Sequence, residues 1–170
     1  MSYILTLALD AASQAHFEAL RQQWFPPERN LIPAHLTLFH TLPEEPWITQ
    51  ALEAAAAGTT AFALGTPIPK SIGRGAAFFF DSPEAIALHK HLRKAFETVV
   101  TPQDSQGFRP HIVAMNKATP QAAKVCLAAL QNHHPPTNTT ATGLDLWRYR
   151  NGPWQHLQTF PFRDRQQPSF

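Results

Sequence analysis

Sixteen prolines are spread through the 170 residues of this chain, and they limit how long any single helix or strand can be. Because proline breaks helix interiors and is excluded from central strands, the sequence divides into short segments. Hydrophobic residues make up 44% of the chain and charged residues 15%, which is enough apolar surface for a core and excludes wholesale disorder. The pattern therefore predicts a folded protein built from many short elements.

Hydrophobic periodicity and turn residues predict an order of strand, helix, strand, helix, strand that occurs twice along the chain. The predicted strands cover residues 3–9, 35–40, 61–64, 76–80, 111–115, 144–150 and 154–162. The predicted helices follow Asp10, cover 47–57, and follow Ser82-Pro83 and Thr119-Pro120, where the side chains of Asp10, Ser82 and Thr119 suit helix N-caps. The repeated order indicates two related halves.

Several classes of protein are excluded by composition. The longest apolar runs, such as residues 76–80, are far shorter than a membrane span, and the N-terminal run has no basic lead-in and suits a first strand better than a signal peptide. We therefore expect a cytoplasmic protein. The single cysteine, Cys126, lies in an apolar helical pattern and is expected to be a buried core residue. The net charge of +2 is compatible with an anionic ligand.

Two predicted strands begin with a histidine that closely follows a proline, and they lie about half a chain apart. The first contains His35 and Thr37, and the second contains His111 and Val113. Because strand side chains alternate between faces, His35 and Thr37 share one face, and an imidazole and a hydroxyl at that spacing can both reach one anionic group. If the two halves are equivalent, His35 and His111 face each other near a pseudo-twofold axis.

Two facing histidines suit phosphodiester chemistry. One neutral imidazole accepts a proton from water or a ribose hydroxyl, and the other, when protonated, donates to the departing oxygen. This mechanism requires no metal, and the sequence contains no His-Glu-x-x-His motif or multi-cysteine zinc motif. It also lacks the motifs of serine hydrolases, P-loop enzymes and dinucleotide-binding enzymes. We therefore predict neither a metal nor a cofactor.

At these positions the sequence resembles the two-histidine phosphoesterases, in particular the RNA 2′,3′-cyclic phosphodiesterases that are also called 2′–5′ RNA ligases. Their first His-x-Thr/Ser-x motif resembles His35-Leu36-Thr37-Leu38, and their second, Phe-Arg-Pro-His-Leu-Thr-Leu, resembles residues 108–114. The 73–75 loop, the helix with Leu88-His89 and the 146–148 strand also look like later segments of the family. The resemblance covers roughly residues 3–162.

The resemblance implies an α+β fold with two pseudo-symmetric lobes. Each lobe is a small antiparallel sheet with helices on its outside, and the active-site cleft lies between the sheets. We expect residues 1–162 to form one bilobal phosphoesterase domain and 163–170 a flexible tail. The implied activity is metal-independent hydrolysis of 2′,3′-cyclic phosphates at RNA ends or on nucleotides, with possible reverse 2′–5′ ligation. The expected ligands are RNA ends or nucleotide 2′,3′-cyclic phosphates, and we expect a monomer without membrane contact.

The candidate site consists of His35 and His111 as catalytic residues, with Thr37, Arg109 and Phe39 as substrate-binding residues. Thr37 and Arg109 would contact phosphate, although a β-branched strand residue and a solvated loop cation are the ordinary interpretations. Phe39 would stack on a base, although an aromatic residue in a strand more often packs in a core. The other histidines receive structural interpretations: His40 has no evident partner in the sequence, and His89 belongs to a solvated basic helix face.

One position departs from the family pattern. Val113 stands where the second motif carries Thr or Ser, so one hydrogen-bond donor to phosphate is missing. The loss weakens catalysis, marks a shifted substrate, or marks a protein that binds without efficient turnover. Two alternatives to the hydrolase therefore remain open: a nucleotide- or RNA-binding protein with weak or lost turnover, and an esterase for another small cyclic phosphate.

Overall fold

The computed structural model describes residues 1–132 and 138–165 and contains eight strands, four α-helices and one short 3₁₀ turn within them. The strands are β1 (Ser2–Leu9), β2 (Leu36–Leu42), β3 (Phe62–Gly65), β4 (Ile68–Ser71), β5 (Ala76–Phe79), β6 (His111–Met115), β7 (Thr139–Tyr149) and β8 (Gln155–Pro161). The helices are α1 (Ala11–Trp24), α2 (Pro46–Ala57), α3 (Pro83–Ala95) and α4 (Pro120–Gln131). The 3₁₀ turn covers Pro27–Arg29.

The strands form two antiparallel sheets, which confirms the predicted α+β, bilobal architecture. The first sheet has the order β2-β1-β7-β3, with β8 also paired to β7, and the second has the order β4-β5-β6. In each sheet the histidine strand (β2 or β6) is an edge strand that pairs with the strand preceding it in its half, β1 or β5. Strand β7 comes from the second half of the chain but lies beside β1, so the lobes are not contiguous in sequence.

Each half of the chain contributes one helix to each lobe. Helices α2 and α3 pack against the first sheet, whereas α1 and α4 pack against the second. The first helix of each half therefore packs against the sheet that contains the histidine strand of the other half. Phe17 of α1 illustrates the crossing, because its ring centroid lies 5.4 Å from that of Phe78 in β5. The crossing joins the two lobes through one continuous hydrophobic cluster.

The local signals that begin the helices are confirmed. The Asp10 carboxylate accepts the Ser13 N–H at 3.0 Å, and the hydroxyl oxygens of Ser82 and Thr119 accept N–H groups three residues later. These side chains satisfy backbone donors that the first helical turn leaves without partners. Cys126 is fully buried on α4, and burial raises the pKa of its thiol to about 11, as expected for an inert core residue.

Three local features differ from the predictions. The sequence does not predict strand β4, because Ile-Pro-Lys-Ser is short, half polar and mostly exposed; Pro69 is tolerated there since β4 is an edge strand. The spacing of apolar residues over 86–99 predicts that Ile86 faces the core, but its side chain is exposed. Arg163, placed in the flexible tail, instead pairs with Thr60, with its N–H donating to the Thr59 carbonyl at 2.9 Å. Residues 166–170 of that tail lie outside the described residues.

None of the helices in the described ranges is long and apolar enough to cross a membrane.

Candidate active site

The two motif histidines have the same local geometry. His35 immediately precedes β2 and His111 begins β6. The Nδ1 atom of His35 lies 2.7 Å from the carbonyl oxygen of Pro33, and Nδ1 of His111 lies 2.7 Å from that of Arg109. A carbonyl oxygen can only accept, so Nδ1 carries the proton in both rings. This fixes the tautomer and leaves Nε2 of each imidazole available to a ligand.

Helix α1 holds the segment that leads into His35. The Gln14 side-chain amide donates to the carbonyl of Ala34 at 2.9 Å, and the Ala34 N–H donates to the Glu18 carboxylate at 2.8 Å. Both backbone groups of Ala34 are therefore bound by side chains one helical turn apart on α1. Because Ala34 precedes His35 directly, these bonds fix where β2 begins and where the first imidazole lies.

Arg21, also on α1, connects the two histidine segments. Its guanidinium donates to the Ile32 carbonyl at 3.0 Å ahead of β2, and to the Val113 carbonyl at 3.3 Å in β6. The side chain is almost completely buried, and burial lowers its pKa while Glu18 opposes that effect. One buried cation thus ties the approach to His35 to the strand that carries His111.

His35 is electrostatically adjusted toward its neutral form. Burial lowers the pKa of His35 from 6.5 to about 4; the hydrogen bond to the Pro33 carbonyl opposes this, and the charges of Arg21, His111 and His40 lower it further. The side chains of His111 and His40 therefore lie near enough to His35 for their charge to affect its pKa. At neutral pH the His35 imidazole is uncharged, with a free lone pair on Nε2.

Two tryptophans form a wall beside His35. The ring centroid of Trp154, in the turn between β7 and β8, lies 4.7 Å from that of His35. Trp147 lies 6.1 Å from Trp154 and donates from Nε1 to the Thr6 hydroxyl at 2.9 Å. Thr6 pairs with Thr37 in the sheet, so this wall adjoins the first motif. Sequence reasoning did not assign these tryptophans to the site, because their role depends on β7 joining the first sheet.

A cavity of about 310 Å³ lies between the two sheets and the 101–107 loop. The predicted residues Thr37, Arg109 and His111 all line it. Phe79 packs against two of these residues. Its ring stacks on that of His111 with centroids 5.1 Å apart, and its centroid lies 4.7 Å from the guanidinium carbon of Arg109. The structure therefore brings these three residues together, with His35 close enough to feel the charge of His111.

Phe39 is not available to a substrate base, and its predicted stacking role is corrected. Its side chain is 0% exposed and packs against His89 and Phe96. The reason is a β-bulge: Thr6 pairs with Thr37 while the adjacent Leu5 pairs with Phe39, so one additional residue interrupts the alternation in β2. Phe39 consequently points into the core, whereas Thr37 remains half-buried at the cavity.

Val113 lies where the second-motif hydroxyl is expected. In β6, His111 and Val113 are half-buried, whereas Ile112 and Ala114 are buried. The alternation is regular here, so Val113 shares the face of His111. The second strand therefore has a valine two residues after its histidine, at the position where the first strand has the hydroxyl of Thr37.

Two further histidines near the site differ from what the sequence predicts for them. His89 is buried rather than solvated, and its ring lies between those of Phe39 and Phe108, with centroid distances of 4.8 and 4.1 Å. His40 does have a partner, the carboxylate of Asp104, at 2.7 Å from its Nδ1 atom. The partner lies far along the chain, so only the tertiary fold could reveal this pair.

Over residues 1–132 and 138–165, no three histidine, cysteine or carboxylate side chains are grouped as a metal site would require. The side chains that line the cleft include imidazole, guanidinium, hydroxyl, amide and aromatic groups, together with the carboxylate of Asp104.

The comparisons with known proteins agree with this architecture. The profile of the 2′-5′ RNA ligase superfamily matches residues 9–153. No curated protein sequence matches the chain significantly.

Among solved structures, E. coli LigT in complex with 3′-AMP aligns with a TM-score of 0.63 at 20% identity, covering 95% of this chain and 97% of LigT. A structure described as a phosphoesterase aligns with a TM-score of 0.62 at 20% identity, covering 95% and 98%. LigT with NADP+ aligns with a TM-score of 0.59 at 20% identity, covering 95% and 97%. At such identities these structures support the fold alone, whereas the family profile extends over most of the chain. The chain therefore belongs to the 2′-5′ RNA ligase superfamily.

Proposed function

We propose that this protein is a metal-independent phosphodiesterase that opens 2′,3′-cyclic phosphates at RNA ends or on nucleotides. The observation that carries the proposal is the duplicated imidazole geometry: His35 and His111 each bind a carbonyl through Nδ1 and keep Nε2 for a ligand. A general base that activates water and a general acid that protonates the leaving oxygen can together cleave a phosphodiester. Family membership supports phosphoester chemistry of this kind.

In the proposed reaction, water attacks phosphorus while Nε2 of His35 accepts one of its protons. The bond from phosphorus to one ribose oxygen breaks, and the protonated Nε2 of His111 donates a proton to that oxygen. We assign the base to His35 because its lowered pKa, about 4, keeps it neutral at physiological pH. The products are a phosphomonoester and a free ribose hydroxyl, so atoms and charge balance.

Thr37 and Arg109 are proposed to bind the non-bridging oxygens of the phosphate. Both line the cavity that also contains His111, and together they bring a hydroxyl donor and a guanidinium to its wall. Donors placed in advance where negative charge develops stabilise the transition state. In the reverse direction a ribose hydroxyl replaces water as the nucleophile, which would give 2′–5′ ligation with the two histidine roles exchanged.

RNA ends or nucleotides are proposed as ligands, since structures of E. coli LigT contain 3′-AMP and NADP+. A second candidate function, nucleotide or RNA binding with weak turnover, is favoured by one observation. Val113 offers no hydrogen-bond donor on the half-buried face it shares with His111.

The test is ring opening of adenosine 2′,3′-cyclic phosphate in EDTA, followed by chromatography, for wild type, His35→Ala and His111→Ala. Each single substitution should reduce the rate by about 10²–10⁴-fold, because each removes one proton-transfer group. His91→Ala is the matched control, because His91 is exposed on α3. Binding without ring opening would favour the second candidate, and loss of activity in EDTA with recovery on adding a divalent ion would reject the mechanism.

A further inference from the structure

His40 and Asp104 form an imidazole–carboxylate pair on the cavity wall. Nδ1 of His40 lies 2.7 Å from Oδ1 of Asp104. The same carboxylate accepts the backbone N–H of His40 at 2.9 and 3.0 Å and that of Thr41 at 3.1 Å. Burial raises the pKa of Asp104, but these hydrogen bonds outweigh burial and lower it overall. Asp104 is therefore a fixed, ionised carboxylate with both oxygens occupied.

Part of this arrangement has a structural purpose. The register of β1 and β2 shifts between the pairs Leu5–Phe39 and Tyr3–Leu42, and the Asp104 carboxylate accepts the N–H groups of the two residues in between, His40 and Thr41. Those two bonds do not require an imidazole at position 40. The side chain of Asp104 is 1% exposed, whereas that of His40 is 49% exposed. The imidazole therefore extends from a buried anchor toward solvent.

The exposed part of His40 faces the candidate site. His40 lines the same cavity as Thr37, Arg109 and His111. Because Asp104 binds Nδ1, Nε2 is the ring atom left for a ligand, as in His35 and His111. His40 is thus a third imidazole that is bound through Nδ1 and leaves Nε2 for a ligand. It differs from the two motif histidines because its Nδ1 is bound by a carboxylate and not by a backbone carbonyl.

The side chains around the cavity suit an anion. The Arg109 guanidinium and the imidazoles of His111 and His40 lie on its wall, and the carboxylate among the described lining residues, that of Asp104, is buried with its oxygens already bonded. The remaining polar lining includes the neutral side chains of Gln103 and Gln106. A volume of about 310 Å³ is at the lower end for small-molecule sites, and suits a ligand the size of one nucleotide.

We propose that His40, held by Asp104, binds a second phosphate of the substrate, on the other side of the ribose from the phosphate that reacts. When protonated, the imidazole donates from Nε2 to a phosphate oxygen while Nδ1 donates to Asp104. The inference rests on the proposed function and narrows its substrate class. A site with this contact prefers nucleotides with a 5′-phosphate, or the terminal nucleotide of an RNA strand, over a nucleoside with a single phosphate.

Equilibrium binding tests this inference without requiring turnover. Isothermal titration calorimetry would compare adenosine 3′,5′-bisphosphate with adenosine 3′-monophosphate on wild type, His40→Asn and the control His91→Asn. Asparagine at position 40 keeps a donor for Asp104 near the place of Nδ1 but removes Nε2. A hydrogen bond to a charged group corresponds to about a ten-fold or larger change in Kd.

We expect wild type and His91→Asn to bind the bisphosphate at least about ten-fold more tightly than the monophosphate, and His40→Asn to lose this preference. Equal affinity of wild type for both ligands overturns the inference. An equal loss for both ligands in His40→Asn, or a lowered Tm with unchanged preference, also overturns it, because either result indicates a structural role. If the preference is lost as expected but no variant hydrolyses a cyclic phosphate, the binding inference stands and the proposed function fails.

Discussion

Restoring the missing hydroxyl at position 113 tests how the second motif contributes to phosphate binding. Val113 is half-buried on the face of β6 that carries His111, whereas Ile112 points into the core. Threonine has nearly the shape of valine and remains β-branched, so Val113→Thr should preserve the strand while adding one donor. We therefore expect a gain in activity with little change in folding.

The size of the gain follows from the bond that is added. A hydrogen bond to a charged group contributes about 1.5–3 kcal/mol, which corresponds to about 10- to 150-fold in rate if it acts fully in the transition state. The cost of an unpaired buried hydroxyl, about 1–3 kcal/mol, applies only where water is excluded. Since Val113 is half-buried, most of that cost should be absent.

The assay combines the initial rate of cyclic phosphate opening with the Tm of each variant. Thr37→Val removes the corresponding hydroxyl from the first motif and should lower the rate by a similar factor without much change in Tm. Ile112→Thr is the control for burial. Because Ile112 is 1% exposed, this substitution should lower the Tm without raising the rate.

Two results would refute this reasoning. If Val113→Thr lowers the Tm as Ile112→Thr does and leaves the rate unchanged, position 113 packs in the core and the strand face has been misassigned. If the Tm and the rate both stay at their wild-type values, no phosphate oxygen approaches this face of β6.

Three further predictions concern the framework of the site. The pKa of His35 is about 4 in the folded protein against 6.5 when unperturbed, so the unfolded chain binds more protons between these values. Folding stability should therefore fall as the pH drops from about 6.5 to 4, by at most about 3 kcal/mol, and denaturant unfolding of His35→Gln should lack this component. Arg21→Met removes the buried guanidinium that donates to the carbonyls of Ile32 and Val113. This substitution should lower the unfolding free energy by about 3 kcal/mol, and it should also lower the rate of ring opening. A Cβ at Gly75 would lie 1.8 Å from the Met115 carbonyl oxygen, so Gly75→Ala should lower the unfolding free energy by about 1–3 kcal/mol or more. Gly107→Ala is the control: a Cβ at Gly107 would have no atom within 4 Å, so the Tm should stay nearly unchanged.

Most of the helices and strands could be predicted from the sequence, because the caps and hydrophobic patterns that determine them involve residues close together in the chain. The helix caps at Asp10, Ser82 and Thr119 each use a side chain and an N–H group three residues apart, and the predicted strand at 111–115 coincides with β6. Strand β4 was missed, since a four-residue edge strand with a proline has almost no periodicity to read.

Features that depend on long-range packing were not predictable in this way. The bulge that places Phe39 in the core depends on how β2 pairs with β1, and the sequence of β2 alone does not predict it. His40 and Asp104 are 64 residues apart in sequence. The burial of His89 between two phenylalanine rings likewise depends on α3 packing against the first sheet rather than on the pattern of its own helix.

The central claim is that the Nε2 atoms of His35 and His111 bind the same phosphate. The most direct measurement is ¹⁵N NMR of the histidine side chains during titration with adenosine 3′-monophosphate, with resonances assigned from His35→Gln and His111→Gln. The account predicts that Nδ1 carries the proton in both free rings, as the bonds to Pro33 and Arg109 require, and that both Nε2 resonances shift together with one Kd. A shift in only one imidazole, or in neither while the nucleotide binds, would contradict it.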